Sequence, residues 1–332
     1  MAEVPHATLN TGAKIPLVGL GCWMGDHGGG DRAYEMCRKA TALGYRHIDT
    51  AAGYENEESV GKAIRDSGIP RSELFVTTKL LSVDHAKVSS ALSVSLSKLG
   101  LDYVDLYLIH WPQAAEGEGW PFDCKILQPD EFPTVNDTWA GMEEVYQAGM
   151  ARAIGVSNFS VKMLERLART QKVVPAVNQV EMHPFLPQNE LRAYCVDKGI
   201  HLTAYSPLGQ PAAGQSHLCT QSDNDLPSLL EDSLLSRLAE RYEATIGQII
   251  LSWGVQRGTS VVPKSEKEER LRKNITLVRL AEEDMKAIDE LHMKPGLHRS
   301  MLAYLHSEKG VLGWTYEQLG WPFDSNGVVV HG

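Results

Sequence analysis

Four residues in the first third of the chain carry side chains suited to moving a proton onto an oxygen: Asp49, Tyr54, Lys79 and His110. An isolated tyrosine has a pKa of about 10, too high for ready proton donation at neutrality. A nearby ammonium favours the phenolate and lowers that value, while a carboxylate keeps the ammonium charged and in place. An imidazole can hydrogen-bond a substrate oxygen as a neutral donor or supply a proton itself. Phenol, lysine, carboxylate and imidazole together suit protonation of an oxyanion as it forms. That is the chemistry of carbonyl reduction, provided that a hydride donor is present.

Such a set needs elements that bring it together. Short apolar runs at 46–49, 74–79, 104–110, 153–157, 176–180, 201–205 and 260–263, with a weaker one at 275–278, read as strands. Their interiors are apolar and β-branched without strict alternation, as in strands covered on both faces. Between them lie helical patterns, among them 85–99, 136–148, 162–169, 188–198 and 247–256, with helix starts at 187–189 and 245–247. Ahead of them, 6–9 and 14–16 flank Asn10-Thr11-Gly12 and predict a hairpin. Eight strands alternating with helices fit a closed parallel (β/α)8 TIM barrel with right-handed crossovers. An open doubly wound sheet alternates too, and periodicity alone does not separate the two.

In a barrel the active site lies where the strands end. Those ends carry Asp49, Lys79, His110, Ser157-Asn158, Gln179, Tyr205 and Lys264, with Tyr54 five residues beyond Asp49 in the following loop. Any one of them alone reads more naturally as a cap or surface residue. The joint pattern points to a site. Three segments break the alternation: 112–134, 209–228 and the tail after Pro295. Loops of this length in a compact domain are functional lids or disordered.

The stretches G-Y-R-H-I-D-T-A-x-x-Y at 44–54, T-K-L at 78–80, D-L-Y-L-I-H-W-P at 105–112 and G-V-S-N-F at 155–159 resemble the aldo-keto reductase superfamily. So do N-Q-V-E-M-H-P at 178–184, A-Y-S-P-L-G at 204–209 and V-P-K-S at 262–265. The matches fall in family order from about residue 7 to 294 and look closest to fungal-type reductases of aldoses and glyceraldehyde. The resemblance implies one barrel domain over 1–332, with a C-terminal substrate loop from about 295. It also implies NADPH/NADP+ as cofactor and a small carbonyl or polyol as substrate. Tyr54 becomes the general acid, Lys79 held by Asp49 tunes it, and His110 orients the carbonyl. Ser157, Asn158 and Gln179 match the groups that hydrogen-bond the carboxamide, Tyr205 the ring that stacks on the nicotinamide. Ser206 and Leu208 match the pyrophosphate segment.

Lys264, Ser265, Arg270 and Asn274 reproduce the K-S-x4-R-x3-N spacing that grips the adenosine 2′-phosphate and adenine. A dianionic phosphate suits a lysine point charge and a planar guanidinium. Lys267, Arg272 and Lys273 lie beside them, so a solvated basic face is the bland reading. Many family members have Glu where this chain has Lys273, and the extra cation favours the phosphate. Trp23, Trp111, Trp120 and Phe122 are expected to build an aromatic wall around the substrate, and Gly53 leaves room beside the carbonyl. The tail adds His298, Arg299, Trp314 and Trp321, and Arg299 could bind a carboxylate, which would suit uronic acids.

Other readings are weaker. The stretch V-G-L-G-C-W-M-G at 18–25 gives G-x-G-x3-G and precedes the first predicted strand by over twenty residues, outside any βαβ framing of a dinucleotide fingerprint. The twelve histidines show no H-x-H or H-E-x-x-H pair, so no metal is expected; His47 and His183 read as structural. Five scattered cysteines without C-x-x-C spacing argue for a reducing compartment. A net charge of −10 disfavours nucleic acid. No apolar run approaches the roughly 20 residues of a membrane span, and the N-terminus lacks the pattern of a signal peptide. A cytoplasmic location is expected. Monomer is the state the resemblance implies, with a dimer left open. The same fold can also serve as a non-catalytic barrel that senses NADPH and regulates a partner.

Overall fold

The computed structural model describes residues 4–117, 124–209, 228–302 and 305–330. The predicted hairpin forms first: β1 (His6–Thr8) pairs antiparallel with β2 (Lys14–Pro16). Next comes β3 (Leu20–Gly21), followed by α1 (Gly30–Ala42), β4 (His47–Asp49), α2 (Glu57–Asp66), β5 (Phe75–Leu80), α3 (Val88–Leu99) and β6 (Leu106–Ile109). Two short strands, β7 (Ala115–Glu116) and β8 (Lys125–Ile126), pair with each other in the loop that follows. The alternation resumes with α4 (Val135–Gln147), β9 (Ile154–Ser157), α5 (Val161–Ala168), β10 (Val177–Glu181), α6 (Asn189–Asp197) and β11 (His201–Tyr205). After it come α7 (Ser233–Arg241), α8 (Ile246–Gln256), β12 (Ser260–Val261), α9 (Glu268–Asn274) and α10 (Glu282–Asp289). The tail carries a small pair, β13 (His306–Ser307) and β14 (Gly310–Val311), then α11 (Tyr316–Leu319).

The main sheet runs β12-β11-β10-β9-β6-β5-β4-β3, with every pair parallel. Its two ends meet: Val18 pairs in parallel with Val261, and the Gly19 and Gly21 amides donate to Val261 O at 2.9 Å and Pro263 O at 3.1 Å. The result is the closed (β/α)8 barrel. One predicted strand is wrong. Residues 275–278 lie outside the sheet; Val278 N donates instead to Ser252 Oγ of α8 at 2.9 Å. The missing strand is β3, inside the glycine-rich stretch read as lying ahead of the barrel. Glycine is required there by contact: a Cβ on Gly21 would sit 2.5 Å from the Val262 carbonyl oxygen. That leaves no side-chain signal for a strand.

Alternation inside each strand sorts the side chains. Phe75, Leu106, Leu108, Ala153 and Val177 pack with Leu9 and Ile15 of the hairpin region, an inner core closed from below. The intervening Ile48, Val76, Tyr107, Ile109, Val156 and Val180 join the larger apolar layer between sheet and helices. The inner rows therefore run from apolar at the hairpin end to polar at the other: Phe75, Thr77, Lys79 on β5 and Val177, Gln179 on β10. Helix starts are fixed by side chains, with capping boxes at Thr134/Asp137 before α4 and Thr245/Gln248 before α8. Among the described residues no helix is long and apolar enough to cross a membrane.

Candidate active site

Where the inner rows turn polar, β4, β5, β6 and β10 bring four side chains together. Lys79 is fully buried, and its Nζ donates to Asp49 Oδ1 at 2.6 Å and to Thr50 O at 2.9 Å. Gln179 Nε2 takes the other Asp49 oxygen at 2.7 Å. The Asp49 carboxylate is thus pinned on both sides. The Lys79 ammonium lies 5.0 Å from the centre of the Tyr54 ring, and the Tyr54 and His110 rings meet edge to face at 5.6 Å. Burial opposes charge on Lys79, but Asp49 and Tyr54 hold its pKa above the ordinary lysine value. The lysine is therefore a fixed cation.

Tyr54 departs from the sequence-based expectation. Its burial raises the phenol pKa by more than the neighbouring Lys79 charge lowers it. The phenol is thus held in the protonated form, as a proton donor requires, with a cation beside it to receive the charge left behind. Burial, helped by Lys79, drives His110 well below the ordinary imidazole value, so it is neutral. Its buried Nδ1 has no partner among the described residues. Two groups that sequence reasoning did not single out steady this loop: Gly28 N donates to Tyr54 O at 2.8 Å, and His27 Nδ1 lies 2.9 Å from Gly53 O.

Beside the four lies an amide-rich edge. Asn158 Nδ2 donates to His110 O at 2.9 Å, and the Tyr205 hydroxyl donates to Asn158 Oδ1 at 2.8 Å. Asn158 and Ser206 adopt positive φ, 65° and 44°, unusual for residues with a Cβ. Ser157 and Gln179 are buried next to them. Further along the mouth, Ser265 and Asn274 are buried and Arg270 is exposed; Leu208 and Asn274 both approach Gly247 at the start of α8. Lysine, guanidinium and hydroxyl at the exit of β12 are a donor set matched to a phosphate dianion. Lys264 Nζ is paired with Glu266 Oε1 at 2.7 Å. Arg32 from α1 reaches the same carboxylate with Nε at 2.9 Å and Nη2 at 2.8 Å. The hydrogen bond from Arg32, with help from Lys264, pushes the Glu266 carboxyl down to about 2. Arg32 and Glu266 are 234 residues apart in sequence, and no local pattern could have paired them.

The walls are partly as expected. Trp23 packs on Tyr54, ring centres 5.2 Å apart. Trp111 lines a cavity with Asn158, Tyr205 and the tail residues His306, Trp321 and Phe323, beside the four buried side chains rather than over them. Trp120 and Phe122 lie outside the described residues. Arg299 is not among the cavity's lining residues; its Nη2 donates to Asn326 O at 2.9 Å, within the tail. Trp314 is buried and donates from Nε1 to Leu127 O at 2.7 Å, tying the tail to the β8 loop. Glu181, unremarked in the sequence, clamps the tail's start: its buried carboxylate accepts from Ser300 Oγ at 2.5 Å and Met301 N at 2.6 Å, and meets His183 at 2.9 Å. His47 and His183 are both buried and bonded within the protein, His47 to Pro16 O.

Comparison with known proteins agrees with this geometry. The sequence pattern of the Aldo/keto reductase family matches residues 18–293. The chain is 42% identical over 308 residues to glycerol 2-dehydrogenase (NADP(+)) of Saccharomyces cerevisiae, covering 88% of this chain and 92% of the relative. It is 41% identical to aldehyde reductase YPR1 of the same yeast, over 88% of this chain and 92% of that one. Among solved structures, a Bombyx mori aldo-keto reductase in complex with NADP superposes with a TM-score of 0.77 at 37% identity, covering 88% of this chain and 94% of the other.

Proposed function

Because the chain belongs to the aldo/keto reductase family, we propose that it reduces small aldehydes and ketones to alcohols, reversibly, with NADP(H) as its cofactor. The observation that carries this reading is the buried set in which Asp49 fixes Lys79 and Lys79 flanks Tyr54. Bound NADPH supplies the hydride. The chain's own residues do the rest. His110, held neutral by burial and by Lys79, donates a hydrogen bond that orients the carbonyl oxygen. As negative charge develops on that oxygen, Tyr54 transfers its phenolic proton to it. Lys79 stabilises the phenolate left behind until solvent returns the proton. In alcohol oxidation the same phenolate is the base.

Ser157, Asn158 and Gln179 would hold the carboxamide, Tyr205 the nicotinamide face, and Ser206 with Leu208 the pyrophosphate. Lys264, Ser265, Arg270 and Asn274 would hold the adenosine 2′-phosphate and adenine. Trp23, Trp111, His306 and Trp321 would wall the substrate, which the relatives' names suggest to be a short hydroxy-aldehyde such as glyceraldehyde, or an aldose. Arg299 is engaged by the tail's own carbonyl, which favours neutral substrates over uronates.

The test is NADPH oxidation with glyceraldehyde by the parent and by Tyr54→Phe. Loss of the general acid should lower kcat by about 10² to 10⁴ while NADPH binding, followed by protein fluorescence, stays the same. Undiminished turnover in Tyr54→Phe, or no turnover by the parent across a panel of carbonyls despite NADPH binding, sinks the proposal.

A further inference from the structure

We propose that Glu266 competes with the cofactor's 2′-phosphate for Lys264, and that Arg32 restrains this competitor, so that the trio tunes how tightly the chain takes NADPH relative to NADH. The inference rests on the cofactor reading above. The lysine expected to meet a dianion already holds an anion, two residues along its own chain. A phosphate bound by Lys264 would come within a few ångströms of the Glu266 carboxylate, and like charges there oppose each other.

Arg32 alters the balance. Its fork grips both Glu266 oxygens, a bidentate geometry suited to a carboxylate. That pairing offsets the Glu266 charge and holds the carboxylate on the α1 side when Lys264 is drawn elsewhere. The neighbouring Asp26 lies 3.6 Å from Arg32 and pulls on the same guanidinium. Lys264 and Glu266 are 31% and 35% exposed, so their contact exchanges at little cost. With Arg32 and Lys264 positive and Glu266 negative, the trio presents one net positive charge to the phosphate. Removing the Glu266 charge leaves two. Removing the Arg32 charge leaves none.

Glu266→Gln should bind NADPH about threefold to tenfold more tightly than the parent, the effect of one charge near a dianion in a water-like medium. Arg32→Gln should bind it more weakly by a similar factor, and the double variant should return close to the parent. NADH lacks the 2′-phosphate, and its affinity should move by less than about twofold in all three. Raising salt to about 0.5 M should shrink the NADPH differences.

The measurement is a dissociation constant for each cofactor from quenching of protein fluorescence, without substrate, on the full chain. Arg38→Gln, at another exposed arginine of α1 that pairs with Glu35, controls for net charge. All sites are exposed or partly exposed, and thermal melts check folding. Unchanged or weaker NADPH binding in Glu266→Gln overturns the proposal, as does an equal shift for NADH. If the parent binds no NADPH at all, the cofactor reading itself falls.

Discussion

Two lysines stand at the ends of barrel strands, each with a carboxylate, and the two pairs are nearly equal in length: Lys79–Asp49 at 2.6 Å and Lys264–Glu266 at 2.7 Å. Their surroundings differ. The Lys79 and Asp49 side chains are 0% and 3% exposed, whereas those of Lys264 and Glu266 are 31% and 35% exposed. The buried pair is locked further by Thr50 and Gln179. A buried charge stripped of its partner is heavily penalised, whereas an exposed pair contributes little. Bond length therefore does not report function; burial does. The pair proposed to flank the reacting oxygen is fixed, and the pair proposed to meet a diffusible phosphate is free to exchange.

Lys79→Met should break the first half of the comparison most severely. It leaves the Asp49 carboxylate buried with only Gln179 for a side-chain partner, which should cost about 3–5 kcal/mol of stability. It also strips the phenolate of its cation, so turnover should fall by about 10² or more. Urea unfolding and steady-state kinetics measure both. A variant as stable as the parent would show that the buried pair is no more fixed than the exposed one.

Lys264→Met probes the other half and should do the reverse. Stability should change by less than about 0.5 kcal/mol, as for most surface substitutions. The NADPH dissociation constant should rise about tenfold, the scale of one charge-assisted contact to phosphate, while kcat at saturating cofactor stays within about twofold. A large fall in kcat with unchanged cofactor binding would contradict the division between a fixed and an exchangeable pair.

The same division governs what the sequence made legible. Asp49, Lys79, His110 and Gln179 stand out because each follows an apolar run in its own strand, and strand ends of a barrel converge on one mouth. The first strand was hidden. Its two residues are Leu20 and Gly21, and Gly21 is required by backbone contact with Val262 rather than by a side-chain pattern. The run at 275–278 misled in the opposite way: Leu277 and Val278 are apolar because they pack on helices, not because they pair in a sheet. Local pattern reports burial and leaves the covering partner unnamed. Long-range pairs were invisible altogether. The Glu181 clamp on Ser300 spans 119 residues and the Arg32 grip on Glu266 spans 234. Nor could spacing show that burial outweighs Lys79 in setting the Tyr54 phenol.

His85 sharpens the comparison by supplying a basic group that is buried without any carboxylate. Neither ring nitrogen has a partner among the described residues, and burial pushes its pKa down to about 3. Lys79 keeps its charge because Asp49 is there; His85, with no such partner, stays neutral. In the unfolded chain the imidazole titrates near 6.5. Below that pH the unfolded state takes up a proton that the folded state refuses until about pH 3, so stability falls as pH drops through this window. At pH 5 the loss from this one residue should be about 2 kcal/mol relative to neutral pH. His47 and His201, each lowered by burial to about 4, act in the same direction. In His85→Met, of similar bulk and without the unpaired nitrogens, the decline between pH 7 and pH 5 should be shallower by that amount. Urea midpoints at the two pH values decide it. Parallel declines in parent and variant would mean that His85 already finds a partner when folded, and that burial alone does not separate the neutral from the charged bases of this barrel.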